Sequence, residues 1–350
     1  MNLKKLPPDF DFDTLKIVKA SREASVALAE LNGLIYGIPN YELLLSPLTV
    51  REAVASSEIE NIRTTTLDIL QAEISSEKIT VSAQKETINY KVALLKGYEI
   101  VKQKGFLATN DIVEIQRVLE PNKSGIRNQM GTVIADGYGN IVHTPPQQET
   151  EIRDLLADLD FFINNYNDGI DPLVKLAIIH YQFETIHPFF DGNGRTGRIL
   201  MILYLVLVSR LHFPVLFLSG YILNQKVDYY RLLQEVRTVA NWSDWVLFVL
   251  KGIEIQSKET SLKVKKISDL KLSWKKLLKE KYAKIYSINL LDYLFNFAFY
   301  TQTHFSNNIN VSRPTASKYL DQFVKDGYLK DKKSGKEKIF FIPEFIEILS

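Results

Sequence analysis

The chain has 350 residues, 46% of them hydrophobic, enough for two or three domains with a substantial core. Its 43 lysines and arginines nearly balance 41 acidic residues, and the net charge of +2 argues against a strongly cationic coat for nucleic acid. It contains no cysteine, so disulfides, thiolate catalysis and cysteine-based metal sites are excluded. The stretch Met1 to Pro8 lacks the apolar segment of a secretory signal, and a cytoplasmic location is expected.

Helical periodicity runs from Phe12 to Lys284 with one interruption. Leu48 to Ile62 is expected to be helical, with Ser56 and Glu60 four apart and so on one face. The interruption is Met130 to Thr144, where Thr132–Ala135 and Ile141–Thr144 flank the turn Asp136-Gly137-Tyr138-Gly139-Asn140. Two short β-branched runs around an Asp-Gly turn predict a hairpin. Leu173 to Thr185 has apolar residues at helical spacing. Ile199 to Val208 is nearly continuously apolar, yet too short to span a bilayer, so it is expected to be a core helix and no membrane partner is expected. Tyr229, Tyr230, Trp242, Trp245 and Phe248 follow, with Trp245 and Phe248 expected in the core.

Between those two helices lies His187-Pro188-Phe189-Phe190-Asp191-Gly192-Asn193-Gly194-Arg195-Thr196-Gly197-Arg198. Gly192 and Gly194 allow backbone N–H groups to converge on phosphate oxygens, and Asn193 adds a side-chain amide donor. The second helix presents its N-terminus, with unpaired N–H groups and partial positive charge, to an anion. Arg195 and Arg198, three apart, are placed to reach one polyphosphate, and an arginine there is expected near the surface, cheaply solvated. Asp191 is a hard oxygen ligand suited to Mg²⁺ shared with phosphates. A neutral His187 imidazole is suited to taking a proton from a hydroxyl.

This string resembles the Fic family signature, and no position departs from it; the flanking Gln182-Phe183-Glu184-Thr185-Ile186 and Pro145-Pro146 are also similar. The resemblance implies a mainly α protein, a Fic-type helical domain with a β-hairpin flap. It implies a protein adenylyltransferase moving AMP from ATP to a Ser, Thr or Tyr hydroxyl of a protein, itself included. Carried over, His187 is the general base and Asp191 the Mg²⁺ ligand. Gly192, Asn193, Gly194, Arg195, Thr196, Gly197 and Arg198 hold the phosphates. Val133, Ile134 and Ala135 of the flap, and Tyr229 near the adenine or ribose, complete the ATP site. The flap at 130–144 would pair with an extended segment of the target protein. Ser56-Ser57-Glu58-Ile59-Glu60-Asn61 resembles the family's inhibitory motif, so Ser56, Glu60 and Asn61 are its inhibitory residues. The Glu60 carboxylate would pair with Arg198 where a γ-phosphate would sit. Removal of AMP from a target, with Glu60 orienting water, is the alternative on the same site. A homodimer is compatible with the resemblance.

Beyond the catalytic region, Lys251 to Lys284 is lysine-rich and expected to be a solvated helix face. Ile288 to Phe299 is apolar and helical. Ser312-Arg313-Pro314-Thr315 is an N-cap with first-turn proline, opening a helix through Phe323 that Gly327 ends. Lys333-Ser334-Gly335-Lys336 then lies between two strand-like runs. This order resembles a winged helix-turn-helix, in which Arg313, Thr315 and Lys318 would face a DNA major groove. A DNA-binding regulator with a nucleotide-sensing Fic domain is therefore a further alternative. The expected divisions are a helical N-terminal region at 1–100 with the inhibitory helix at 48–62, a catalytic core at 101–253, a helical linker at 254–284 and a winged helix at 285–350.

Overall fold

A computed structural model describes residues 5–36, 42–74, 79–135, 137–165, 167–334 and 337–349, with backbone alone for 42–46 and 334. Asp136 of the expected flap turn, and Gly335 and Lys336 of the expected wing tip, lie outside the described residues. The chain is mainly helical. The first elements are α1 (Leu15–Tyr36), α2 (Glu42–Ile59), α3 (Thr66–Ala72), α4 (Ser82–Lys104) and α5 (Thr109–Leu119). The hairpin β1 (Ile134–Ala135) and β2 (Ile141–His143) follows, then α6 (Glu149–Asn164), α7 (Pro172–Ile186) and α8 (Asn193–Leu207). After these come α9 (Leu218–Asn224), α10 (Lys226–Val239) and α11 (Trp242–Lys281).

The core sits around α7, where every residue from Leu173 to Ile186 is buried. Asp171 caps its start by accepting from the N–H groups of Leu173 and Val174, and Pro172 supplies a pre-set φ in the first turn. α8 packs beside α7, α4 lies against α5 and α8, and α2 is wedged against α4 and α9. Full burial of a side chain such as Phe183 contributes roughly 1.5–3 kcal/mol. α1 lies along α11, and the Trp245 indole donates to Ala177 O of α7 at 2.9 Å.

The flap pairs over less than the expected runs. Among the described residues, only Ile134 with His143 and Ala135 with Ile141 are in register, with an irregularity between them. Beyond them Gln147 takes over the backbone: its Oε1 accepts from Gly131 N at 2.7 Å and its Nε2 donates to Thr132 O at 2.9 Å. The expected boundary at 253/254 falls inside α11, which runs unbroken for 40 residues. Nor are its lysines all solvated. Lys263 donates to Ile348 O at 2.8 Å, and Lys271 pairs with Asp292 at 2.8 Å, so part of this face tethers the C-terminal unit.

That unit contains α12 (Ile288–Asn296), β3 (Tyr300–Thr301), α13 (Gln302–Ile309), α14 (Arg313–Lys325), β4 (Lys330–Ser334), β5 (Glu337–Phe341) and α15 (Pro343–Leu349). Ser312 caps α14 and Gly327 takes φ +79° after it. The strands are ordered β3-β5-β4, all antiparallel. Trp274 of α11 reaches into its core, with ring centroids 6.1 Å from Phe323 and 6.3 Å from Phe295. Among the described residues no helix is long and apolar enough to cross a membrane.

Candidate active site

His187 is the C-cap of α7 and takes the left-handed conformation, φ 49° and ψ 60°. A non-glycine residue there is strained, and the surroundings hold it in place. The holder is Arg127, fully buried and unforeseen in the sequence. Its Nε donates to His187 O at 2.8 Å, its Nη2 to Pro146 O and Ile186 O, and its backbone N to Pro188 O at 2.9 Å. The His187 Nδ1 is buried without a hydrogen-bond partner. Burial, with Arg127 nearby, lowers the imidazole pKa to about 4, so the ring is neutral at physiological pH.

Asn193 ties the loop to itself: its Oδ1 accepts from Phe189 N and its Nδ2 donates to Phe189 O, both at 2.8 Å. The amide expected to meet phosphate is thus engaged in holding the turn. Gly192 caps α8 with φ 77°, a conformation open to glycine at little cost. The first helical bond runs from Thr196 N to Gly192 O at 2.8 Å, leaving the N–H groups of Asn193, Gly194 and Arg195 without an intrahelical partner. That N-terminus borders a cavity of about 370 Å³ lined by Glu60, Ile62, Glu86, His187, Phe190 and residues 191–195.

Glu60 fills the anion position. A methyl group at Gly194 would lie 2.3 Å from Glu60 Oε1, so the carboxylate rests directly on the first turn of α8. The same oxygen accepts from Arg198 Nη2 at 2.7 Å. Arg198 also donates from Nε to Ser56 Oγ at 2.8 Å and from Nη2 to Ser56 O at 2.9 Å. Burial raises the Glu60 pKa, but Arg198 outweighs it and holds the carboxyl below its usual range. Arg198 is 2% exposed, not near the surface as expected. Burial lowers its pKa, yet Glu60 and its neighbours raise it further than burial takes away.

The backbone of α2 presents Glu60 through its ending. Ile62 N donates to Ser57 O and Asn61 N to Glu58 O, with Asn61 at φ 63°. These are the paired bonds of a Schellman ending, so Asn61 acts through its backbone and Glu60 is the last residue of the helix face. Two turns earlier, Glu52 accepts from Tyr90 OH at 3.0 Å, from Ser219 N at 3.0 Å and from Ser219 Oγ. This fixes α2 to α4 and α9.

The two arginines do not converge. Arg195 Nη2 pairs with Glu120 at 2.7 Å, and the guanidinium lies 3.5 Å from Glu86 and 3.6 Å from Asp191. Asp191 pairs with Lys123 at 2.7 Å and accepts from Gly192 N at 2.7 Å. Burial pushes its carboxyl up, but Lys123 and that N–H hold it low. Thr196 and Gly197 are buried and outside the cavity lining, and Gly197 faces α7, where a methyl on it would lie 2.2 Å from Glu184 Oε1. Val133, Ile134 and Ala135 are outside the cavity lining. Tyr229 is 1% exposed and bonds His180 Nε2 through its OH at 2.8 Å, so its ring is closed off, while Tyr230 beside it is 46% exposed.

Glu184 lies in the flanking stretch that resembles the family, but nothing in the sequence signals its burial. Its Oε1 is buried with no hydrogen-bond partner, and burial pushes its pKa up to about 7. No group of three or more His, Asp or Glu among the described residues is spaced to hold a metal, so Asp191 stands as a single hard donor. Such a donor suits a cation that takes its remaining ligands from phosphate and water.

Residues 18–99 match the Fic/DOC family N-terminal domain, 106–205 the Fic/DOC family domain, and 270–345 the C-terminal domain of protein adenylyltransferases described as SoFic-like. A protein adenylyltransferase Fic of Nematostella vectensis is 29% identical over 140 residues, 39% of this chain. One from Drosophila willistoni is 28% identical over 212 residues, 59% of this chain. The chain spans only 30% and 39% of those relatives' own lengths. Among solved structures, a Fic family protein from Desulfovibrio desulfuricans superposes with a TM-score of 0.60 at 20% identity, covering 96% of this chain and 98% of that one. Fic-1 of Caenorhabditis elegans gives 0.53 at 22%, covering 73% and 74%.

Proposed function

Since the chain belongs to the Fic/DOC family, whose two domains together match more than half of it, we propose that it transfers AMP from ATP to a protein hydroxyl. The observation that carries this reading is the neutral, unpartnered His187 facing the same cavity as the open N-terminus of α8. The hydroxyl oxygen attacks the α-phosphorus in line, the bond to pyrophosphate breaks, and the hydroxyl proton passes to the His187 imidazole. The N–H groups of 193–195 and the Arg198 guanidinium take the phosphate charge. Asp191 would hold Mg²⁺, which neutralises phosphate charge when bound, and Lys123 must leave the carboxylate for this to happen. The Arg195 guanidinium would reach phosphate only by exchanging Glu120, so we assign it first to fixing the loop.

In the arrangement described here the site is closed against productive ATP by Glu60. Its carboxylate already occupies the anion position and satisfies Arg198, and a γ-phosphate would have to displace it. Residue Glu60 also lines the cavity with His187, which favours removal of AMP as a second reading in which Glu60 orients a water. Incubation with α-³²P-labelled ATP and Mg²⁺ followed by mass spectrometry separates the two: a gain of AMP on protein supports transfer.

The C-terminal unit fits a winged helix, with Arg313 and Lys318 exposed and Thr315 half-buried on α14. Lys338 on β5 is held by Asp331 at 3.2 Å and lies 3.7 Å from Asp321, so part of the wing's positive charge is spent internally. A band shift with duplex DNA, lost in Arg313→Ala/Lys318→Ala, would support nucleic acid as its partner. Cytoplasmic residence and dimerisation stay proposals of the same reading.

A further inference from the structure

The carbonyl groups from Ser56 to Ile59 are each engaged, and one of their partners lies outside every motif. Ser57 O accepts from Ile62 N and Glu60 N, Glu58 O from Asn61 N, and Ser56 O from Arg198. The remaining one, Ile59 O, accepts from the Lys226 ammonium at 2.6 Å. Lys226 is the first residue of α10, which carries Tyr229 and Tyr230, so this bond joins α10 to the residue immediately before Glu60. A cation at a helix C-terminus is favoured by the partial negative charge there, and this one also contributes to holding Glu60 ionised.

We propose that Lys226 is a latch: its bond to Ile59 O keeps the Glu60–Asn61 turn closed over α8, and its loss frees the turn without touching Arg198. The assignment rests on the inhibitory reading of Glu60. Upstream, α2 is fixed by Glu52, Tyr90 and Ser219, and Ala53, Ser56 and Ser57 are fully buried, so the helix body stays in place. Glu60, with its side chain 34% exposed at the helix end, is the part free to swing. Among the described residues, the hydrogen bonds from outside α2 to Ile59 O and to the Glu60 carboxylate come from Lys226 and Arg198. Arg198 is also the arginine a nucleotide would take, which leaves Lys226 as the contact that serves closure alone.

The test measures two quantities in wild type, Lys226→Met, Lys226→Arg, Glu60→Gly and Glu60→Gly/Lys226→Met. One is the initial rate of labelling from α-³²P ATP, and the other is amide hydrogen exchange at residues 60–62. Lys226→Met should label roughly threefold to tenfold faster than wild type, the range for one hydrogen bond. It should also exchange residues 60–62 faster, whereas Lys226→Arg, which keeps a donor, should match wild type in both. In the Glu60→Gly background the Met substitution should change nothing further. Unchanged exchange and labelling in Lys226→Met would overturn the latch, as would a loss of labelling in Glu60→Gly/Lys226→Met, which would give Lys226 to the nucleotide. If Glu60→Gly itself transfers nothing, the inhibitory reading of Glu60 fails, and the exchange rates alone decide the latch.

Discussion

Glu60 Oε1 and Arg198 Nη2 stand 2.7 Å apart although 138 residues separate them in the chain. Arg198 is nearly fully buried, so the carboxylate that fills the anion position is also the main counter-charge of a buried cation. The proposed inhibition and folding would therefore share one contact.

This sharing predicts a stability cost for release. Glu60→Gly should lower stability by about 1–3 kcal/mol, less than the full loss of a buried pair because Arg198 keeps its Ser56 partners and Glu60 is part-exposed. Thermal melts check it. Glu60→Gly/Arg198→Ala should recover part of the loss, since no uncompensated guanidinium remains. An unchanged melting temperature in Glu60→Gly would show that water solvates Arg198.

His187→Ala in the Glu60→Gly background should reduce transfer by ~10²–10⁴-fold while nucleotide affinity stays within a few-fold. The imidazole acts on the hydroxyl, whereas the α8 N-terminus acts on phosphate. Because burial lowers its pKa to about 4, the ring is unprotonated throughout the neutral range, and transfer should fall only as pH drops toward 4. A rate that halves near pH 6.5 instead would mean an imidazole more solvated than this one.

Glu184 predicts a pH dependence of stability. Its folded pKa, about 7, is above the usual carboxyl value, so the native state binds this proton more tightly than the unfolded chain. The stabilisation is complete below the unfolded pKa and is lost as pH rises toward 7, on the order of 3 kcal/mol in total. Glu184→Gln, which cannot ionise, should flatten the fall in melting temperature between about pH 4.5 and pH 7. Parallel curves for wild type and Glu184→Gln would contradict the assignment.

Asp191→Asn should raise the Mg²⁺ concentration for half-maximal transfer in the Glu60→Gly protein by ~10–100-fold or more. Lys123→Met should lower it modestly, by removing the ammonium that competes for the same carboxylate. Binding of Mn²⁺ with ATP, followed by electron paramagnetic resonance, checks both without relying on activity.

Much of this was legible in the sequence. The helix–loop–helix at 173–208 follows from periodicity and a glycine-flanked turn, and Glu60 facing Arg198 follows from the inhibitory motif. The C-terminal helix starts follow from the apolar run that opens at Ile288 and from Ser312 as a cap, while the Ser287 cap of α12 was not foreseen. What escaped was carried by long-range partners with no local pattern. Nothing near Arg127 marks it as the pin of His187, and Glu120 and Lys123 meet the loop only because α5 ends beside it. The burial of Arg198 and Tyr229 escaped for a related reason: a polar residue's depth depends on what packs over it, here α2 and α11. The shortened flap reflects Gln147 capturing backbone groups that the ladder would otherwise pair.

The central claim is AMP transfer by His187 at a site that Glu60 closes. The most direct measurement compares Glu60→Gly with wild type and with Glu60→Gly/His187→Ala, each given ATP labelled at either the α or the γ phosphorus, in the presence of Mg²⁺. The account predicts stable protein labelling from the α label only, strong in Glu60→Gly, weak in wild type and lost with His187. Labelling from the γ phosphorus, or equal α labelling in all three proteins, would contradict it.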